Sequence, residues 1–274
     1  MNNKLIIFSE SEIYIDRARI LSERLQIPFT LDKNELKAFL SSENKSTYKA
    51  DSSSVSKPLF LNLGADGLSL TDGNLILRGD FTENLKRLKQ SNLERELLVK
   101  AARLKHADHP PILIDATAGM GEDSLLLAAS GFKVILYEYD LVIASLLEDT
   151  LLRASGIPEL TATVSRMELR MESSIDAMQK LDFSPDVILL DPMFPARSKS
   201  ALVKKKFQLL QQLEHPCSDE TDLIKAALCG KPHKIIIKRP LKGPFLADIK
   251  PDYSLSGKAI RYDCLLPETR KLTI

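Results

Sequence analysis

Ile112-Leu113-Ile114-Asp115-Ala116-Thr117-Ala118-Gly119-Met120-Gly121-Glu122-Asp123 is the stretch that decides the fold. An apolar run, too short for a helix, leads into a turn with two glycines one residue apart, and helix-favouring residues follow to Ala129. That order makes a buried strand, a tight turn and a helix start. The same alternation continues downstream. Lys133–Glu138 reads as a strand, Leu141–Ala154 as a helix, Met167–Met171 as a strand, Ser174–Lys180 as a helix and Val187–Leu190 as a strand. Residues 201–214 and 220–229 read as helical, Ile235–Ile237 as a strand, and 252–256 with 259–266 as a closing hairpin. Repeated strand–helix units predict a mostly parallel sheet covered on both faces.

Upstream the pattern differs. Residues 4–8 predict a short strand and 11–25 a helix, while the Ser- and Lys-rich stretch 41–58 predicts a loop. Leu59–Leu63, Leu68–Thr71 and Leu75–Leu77, separated by Asp- and Gly-containing turns, predict a small meander. Residues 81–105 predict one long polar helix, ended by His109-Pro110-Pro111. The expected domains are therefore 1–105, a smaller α/β unit, and 106–274, a Rossmann-like unit.

With 274 residues, 44% apolar and 27% charged, the chain can bury a full core. No apolar run approaches the roughly 18 residues of a membrane span. Net charge is +1, with 17 basic and 15 acidic residues in 1–110 against 21 and 22 in 111–274, so any polyanion site must be a local cluster. Three cysteines, Cys217, Cys229 and Cys264, cannot all pair within one chain, which points to a reducing, cytoplasmic compartment.

Gly119 and Gly121 let the backbone turn tightly and admit a ligand close to main-chain N–H groups. Glu138 ends the next strand, where a carboxylate can accept both hydroxyls of a ribose. Asp115 lies at the mouth of the turn. Position 124 is Ser, so the third glycine of a dinucleotide fingerprint is missing. Glu122 and Asp123 would repel a pyrophosphate at the helix N-terminus. They suit a cationic ligand without phosphates, and S-adenosyl-L-methionine is one.

Asp191-Pro192-Met193-Phe194-Pro195 follows a predicted strand, at the end of the sheet where open α/β folds bind ligands. It resembles the Asp/Asn-Pro-Pro-Tyr/Phe signature of amino-methyltransferases, with Met193 in place of the second proline. Acceptors at Asp191 and the Pro192 carbonyl can hold the N–H groups of a poorly nucleophilic exocyclic amine. Phe194 offers a ring face for the base. Five basic residues without an acid follow in 196–207, among them Arg197, Lys199, Lys204 and Lys205; Lys238 and Arg239 end the next strand. These are candidate RNA-phosphate contacts, although lysine runs are commonly solvated helix faces. Ser173 and Ser174 stand where hydroxyls can bond an adenine edge or cap a helix. The His and Cys spacings give no zinc pattern, so no metal is expected.

Taken together, Asp115 to Asp123, Glu138, Ser173-Ser174, Asp191 to Pro195, Lys199-Ser200-Ala201-Leu202-Val203-Lys204-Lys205 and Ile237-Lys238-Arg239-Pro240 resemble the RsmJ family. These are bacterial 16S ribosomal RNA guanine-N2 methyltransferases. The resemblance spans about residues 112–266. It implies a Rossmann-like class I methyltransferase domain and cofactor contacts at Glu122, Asp123, Glu138, Tyr139, Ser173, Ser174 and Asp191. The implied partner is 16S ribosomal RNA or the 30S subunit, with oligomeric state left open. The chain departs from the family at Glu122 and Tyr139, where arginine is usual, and in 89–98, which lacks the usual glycines. DNA adenine, a protein amide, or a non-catalytic role in ribosome assembly remain alternatives from sequence.

Overall fold

In the computed structural model, residues 5–46, 58–104, 109–192, 209, 213 and 220–267 are described. They divide into two compact units, a smaller one of residues 1–79 with 148–150 and 196–215, and a larger one of 80–147, 151–195 and 216–274.

The smaller unit is a five-stranded sheet with strands β1 (Ile7–Ser9), β2 (Phe29–Thr30), β3 (Phe60–Gly64), β4 (Gly67–Thr71) and β5 (Ile76–Leu77), ordered β2-β1-β3-β4-β5. β1 runs parallel to β2 and β3, whereas β3, β4 and β5 form the expected antiparallel meander. Asp72 makes the second turn, its Oδ1 accepting from the backbone N–H groups of Asn74 (2.8 Å) and Leu75 (2.6 Å). Two helices complete the unit, α1 (Ile15–Leu25) and α2 (Lys33–Ser46). The expected loop at 41–58 is thus helical as far as Ser46, and 47–57 lie outside the described residues.

The expected long helix over 81–105 is instead a chain of short pieces: a 3-10 turn at Phe81–Asn84, then α3 (Leu85–Leu88), α4 (Gln90–Leu93) and α5 (Leu97–Ala102). Lys89 and Glu96 take extended ψ values of 133° and 128° and break it. Packing overrides propensity here. Phe81, Leu98, Ala101 and Ala102 are buried in the core of the larger unit, and a straight polar helix could not deliver them all. The boundary consequently falls at Gly79/Asp80, not after residue 105. Lys234 fastens this segment. Its buried ammonium donates to the carbonyls of Ala101 (2.8 Å) and Arg103 (2.6 Å) at the end of α5.

The larger unit is built on seven strands: β6 (Ile112–Asp115), β7 (Lys133–Tyr137), β8 (Met167–Arg170), β9 (Val187–Leu190), β10 (Lys234–Pro240), β11 (Tyr253–Ser256) and β12 (Ile260–Leu265). Their order is β11-β12-β10-β9-β6-β7-β8. The first five are parallel, and β12 lies antiparallel between β10 and β11 as the predicted hairpin. The connecting helices are α6 (Glu122–Ala129), α7 (Leu141–Ser155), α8 (Pro158–Val164), α9 (Ser174–Met178) and α10 (Glu220–Cys229). Two apolar cores line the sheet, one around Leu113, Leu125, Leu136 and Leu189, the other around Ile114, Ile188, Ile224 and Ile237. Alternate residues of each strand feed opposite cores, which is why these strands read as continuous apolar runs. α8 was not foreseen; Pro158 at its first turn was the available signal. The expected helix 201–214 lies outside the described residues apart from Leu209 and Leu213.

The chain steps from β6 outward through β7 to β8, then returns to the other side of β6 for β9 and β10. Strand order therefore reverses between β6 and β9, and a crevice opens beyond their carboxyl ends. No helix among the described residues is long and apolar enough to cross a membrane.

Candidate active site

The glycine turn sits at this switch point. Gly119 and Gly121 take left-handed φ values of +53° and +76°. A Cβ at Gly121 would stand 2.7 Å from Leu147 Cδ1 and 3.3 Å from Phe81 Cζ, so only glycine lets the turn settle on the core. A Cβ at Gly119 would meet nothing within 4 Å. The first glycine therefore serves conformation and an open approach, and the second serves packing. The backbone N–H of Ala118 bonds the Tyr137 carbonyl (3.0 Å) and that of Ala116 the Leu189 carbonyl (3.0 Å), tying the turn to both neighbouring strands.

Glu138 closes one side. Its Oε2 accepts from the Gly119 N–H (2.9 Å) and its Oε1 from the Asp140 N–H (2.9 Å). Burial pushes its carboxyl above the usual range, and these N–H donors pull it back. Each oxygen keeps a lone pair for a further donor. Tyr139 next to it is 77% exposed. Glu122 is exposed on the first turn of α6. Ser173 caps α9 by accepting from the Asp176 N–H (3.3 Å), and Ser174 opens that helix, half-buried. Of the two roles expected for this pair, the cap is the one the geometry displays.

Asp115, expected among the ligand contacts, is buried behind the turn. Ser124 Oγ donates to its Oδ2 (2.6 Å) and the Thr117 N–H to its Oδ1 (3.1 Å). It shapes the turn from within and does not face a ligand. Burial pushes its carboxyl up to about 7, against the pull of Ser124 and Thr117. The folded protein thus holds this proton more tightly than the unfolded chain, whose aspartate stays near 3.8. Stability from this group is present at low pH and is lost as pH rises towards about 7. Asp115→Asn removes that loss. The melting temperature of the variant relative to wild type should climb between pH 5 and 8; a constant difference would contradict the assignment.

Asp191 ends β9 on the other side of the crevice. Its backbone N–H donates to Thr117 Oγ1 (2.7 Å), which anchors the start of the Asp-Pro loop directly to the glycine turn. Thr117 is a functional residue that sequence motifs do not single out; its signal is a hydroxyl inside a turn that faces another strand end. Pro192 is buried. Phe194, Arg197, Lys199, Lys204 and Lys205 lie outside the described residues.

Two expected phosphate contacts turn inward. Arg239 is 1% exposed and donates to the Pro244 carbonyl (2.8 Å) and to Glu220 (3.4 Å). Its place on β10 points it into the structure, where a phosphate cannot reach it. Lys238 pairs with Asp123 Oδ2 (2.6 Å) and Asp191 Oδ2 (2.8 Å). Burial pushes the Asp191 carboxyl up while Lys238 draws it back. For Lys238, burial opposes the charge, but Asp191 and Asp123 outweigh it and hold the ammonium above the usual lysine range.

Comparison with known proteins agrees with this architecture. The family model described as "Putative SAM-dependent methyltransferase" matches residues 49–267. A ribosomal RNA small subunit methyltransferase J from Pseudomonas aeruginosa is 40% identical over 210 residues, covering 74% of this chain and 80% of that protein. The enzyme of the same name from Thioalkalivibrio sulfidiphilus is 37% identical over 218 residues, covering 77% and 85%. The crystal structure of a SAM-dependent methyltransferase from Neisseria gonorrhoeae superposes with a TM-score of 0.68 at 26% identity, covering 97% of each chain. A family model over most of the chain and relatives this similar over three quarters of it show that the chain belongs to the family of ribosomal RNA small subunit methyltransferase J, enzymes that depend on S-adenosyl-L-methionine.

Proposed function

We propose that the chain methylates the exocyclic N2 of one guanine near the 3′ end of 16S ribosomal RNA, in the cytoplasm. The observation that carries this reading is the Asp191–Thr117 bond, which seats the Asp-Pro loop on the glycine corner. The relatives' shared name supports the RNA class.

The residues present suit S-adenosyl-L-methionine. Glu138 offers carboxylate lone pairs to ribose hydroxyls, Gly119 leaves open space beside main-chain N–H groups, and Asp123 and Asp191 match a cationic amino-acid end. The family resemblance adds Glu122, Tyr139, Ser173 and Ser174 as further cofactor contacts. When bound, the cofactor supplies an activated methyl group on a sulfonium.

The rest falls to the chain. A guanine amine is a poor nucleophile because its lone pair is delocalised into the ring. Asp191 and the Pro192 carbonyl accept its N–H hydrogens and favour a pyramidal nitrogen with its lone pair directed at the methyl carbon. Phe194 stacks on the base, which must leave its helix or be unpaired to enter. Arg197, Lys199, Lys204 and Lys205 neutralise neighbouring phosphates.

Incubating the protein with radiolabelled S-adenosyl-L-methionine and either naked 16S RNA or 30S particles, then digesting to nucleosides, tests the proposal. Label in N2-methylguanosine is the expected result. Label in methyladenosine, in DNA or in ribosomal protein would replace guanine as the substrate. RNA binding without transfer would favour an assembly factor.

A further inference from the structure

Three chain elements bring their charges to one point at the crevice. Asp123 comes from the first turn of α6, Asp191 from the end of β9 and Lys238 from β10. The Lys238 ammonium lies 2.6 Å from Asp123 Oδ2 and 2.8 Å from Asp191 Oδ2. Its side chain is 25% exposed, and those of Asp123 and Asp191 are 22% and 38% exposed. The register of β10 on β9, Ile237 opposite Leu190, fixes Lys238 level with Asp191.

Without the lysine, two carboxylates would face each other in a partly buried corner with a third, Asp115, behind them. Like charges so placed cannot all ionise near neutral pH. Among the described residues, the titratable groups whose charges act on Asp191 are Asp115 at the end of β6, Asp123 on α6, Lys238 and Arg239 on β10, and Tyr262 on β12. Arg239 is committed to Glu220 and the Pro244 carbonyl. Lys238 is the cation that touches both acids.

We infer that Lys238 is a positioning residue for methyl transfer: its ammonium clamps Asp123 to Asp191, so that together the two side chains present negative charge to the cationic end of the cofactor. The lysine acts through the two acids and not on RNA phosphate. The inference rests on the cofactor and not on which RNA base is modified.

Calorimetric binding of S-adenosyl-L-homocysteine, which carries the same ammonium and needs no RNA, separates the two. Because the ligand's own ammonium begins to titrate above about pH 7.5, every variant is read as the ratio of its affinity to that of wild type at the same pH. Lys238→Gln should bind about tenfold or more weakly at pH 6.5, one pKa unit of displaced titration being a tenfold effect. It should release protons on binding, seen by comparing buffers of different ionisation heat, and recover towards pH 9. Lys238→Arg should restore a level profile. The charge-balanced double variant Asp123→Asn with Lys238→Gln removes one acid with the cation, which guards against a folding failure of the single variant. It should also bind with little dependence on pH. Wild-type affinity in Lys238→Gln, an equal loss at every pH, or a persistent pH dependence in the double variant would each overturn the clamp. So would unchanged cofactor binding accompanied by a salt slope for RNA reduced by about one, the mark of a phosphate contact.

Discussion

Asp191→Ala reduces methyl transfer by roughly 10²- to 10³-fold and leaves the melting temperature nearly unchanged. The first half follows from what the carboxylate does. In the proposed mechanism it accepts a hydrogen bond from the target amine; bonds to charged groups are worth about 1.5–3 kcal/mol. It also sets the direction of attack, and a misplacement of about 1 Å can cost 10²-fold. The second half follows from what holds the loop. The anchor to Thr117 uses the backbone N–H of residue 191, which alanine retains. Lys238 keeps Asp123 as its partner. The lost side chain is 38% exposed and gives up one ion pair, a loss of about 1 kcal/mol or less, worth a few degrees of melting temperature at most. Single-turnover transfer at saturating RNA and cofactor is the measurement. Asp191→Asn keeps an acceptor and should recover part of the rate. Near-normal transfer by the alanine variant would remove Asp191 from the mechanism.

The two glycines should respond oppositely. Gly121→Ala puts a methyl 2.7 Å from Leu147 Cδ1 in a left-handed backbone. The conformation costs about 1–2 kcal/mol and overpacking about 1–3 more. A drop in melting temperature on the order of 5–15 °C is expected. Gly119→Ala carries only the conformational cost, since a Cβ there meets nothing within 4 Å. It should remain folded, with affinity for S-adenosyl-L-homocysteine lowered about tenfold or more, because in the proposed binding mode the methyl enters the open space the cofactor takes. Thermal melts and calorimetry on the pair check both. Equal losses of stability would mean that the turn has no open side.

Much of this was legible because strand and turn chemistry is local. Ile112 to Asp115, Val187 to Leu190 and the glycine pair carry their conformations in their own composition, and the βα alternation sets the sheet. What escaped was set by partners distant in sequence. Arg239 and Lys238 read as a basic cluster until the antiparallel β12 and the β9 register assign each an inward partner. Asp115 read as a ligand because nothing local shows that Ser124 turns back onto it. The segment 81–105 reads as one helix because its polar content is visible, whereas the core that bends it is assembled from residues as far along as Cys264.

Lys234 has one more implication, for biosynthesis. Its two carbonyl partners lie 133 and 131 residues earlier in the chain. Leu98 and Val99, buried in the finished molecule, emerge from the ribosome long before the lysine that secures their segment. At about 5–20 residues per second, the wait is on the order of ten seconds. During that interval α5 can pack on α6 but lacks the cation that closes its last turn, so the final turn of this segment is among the last pieces of the domain to be secured.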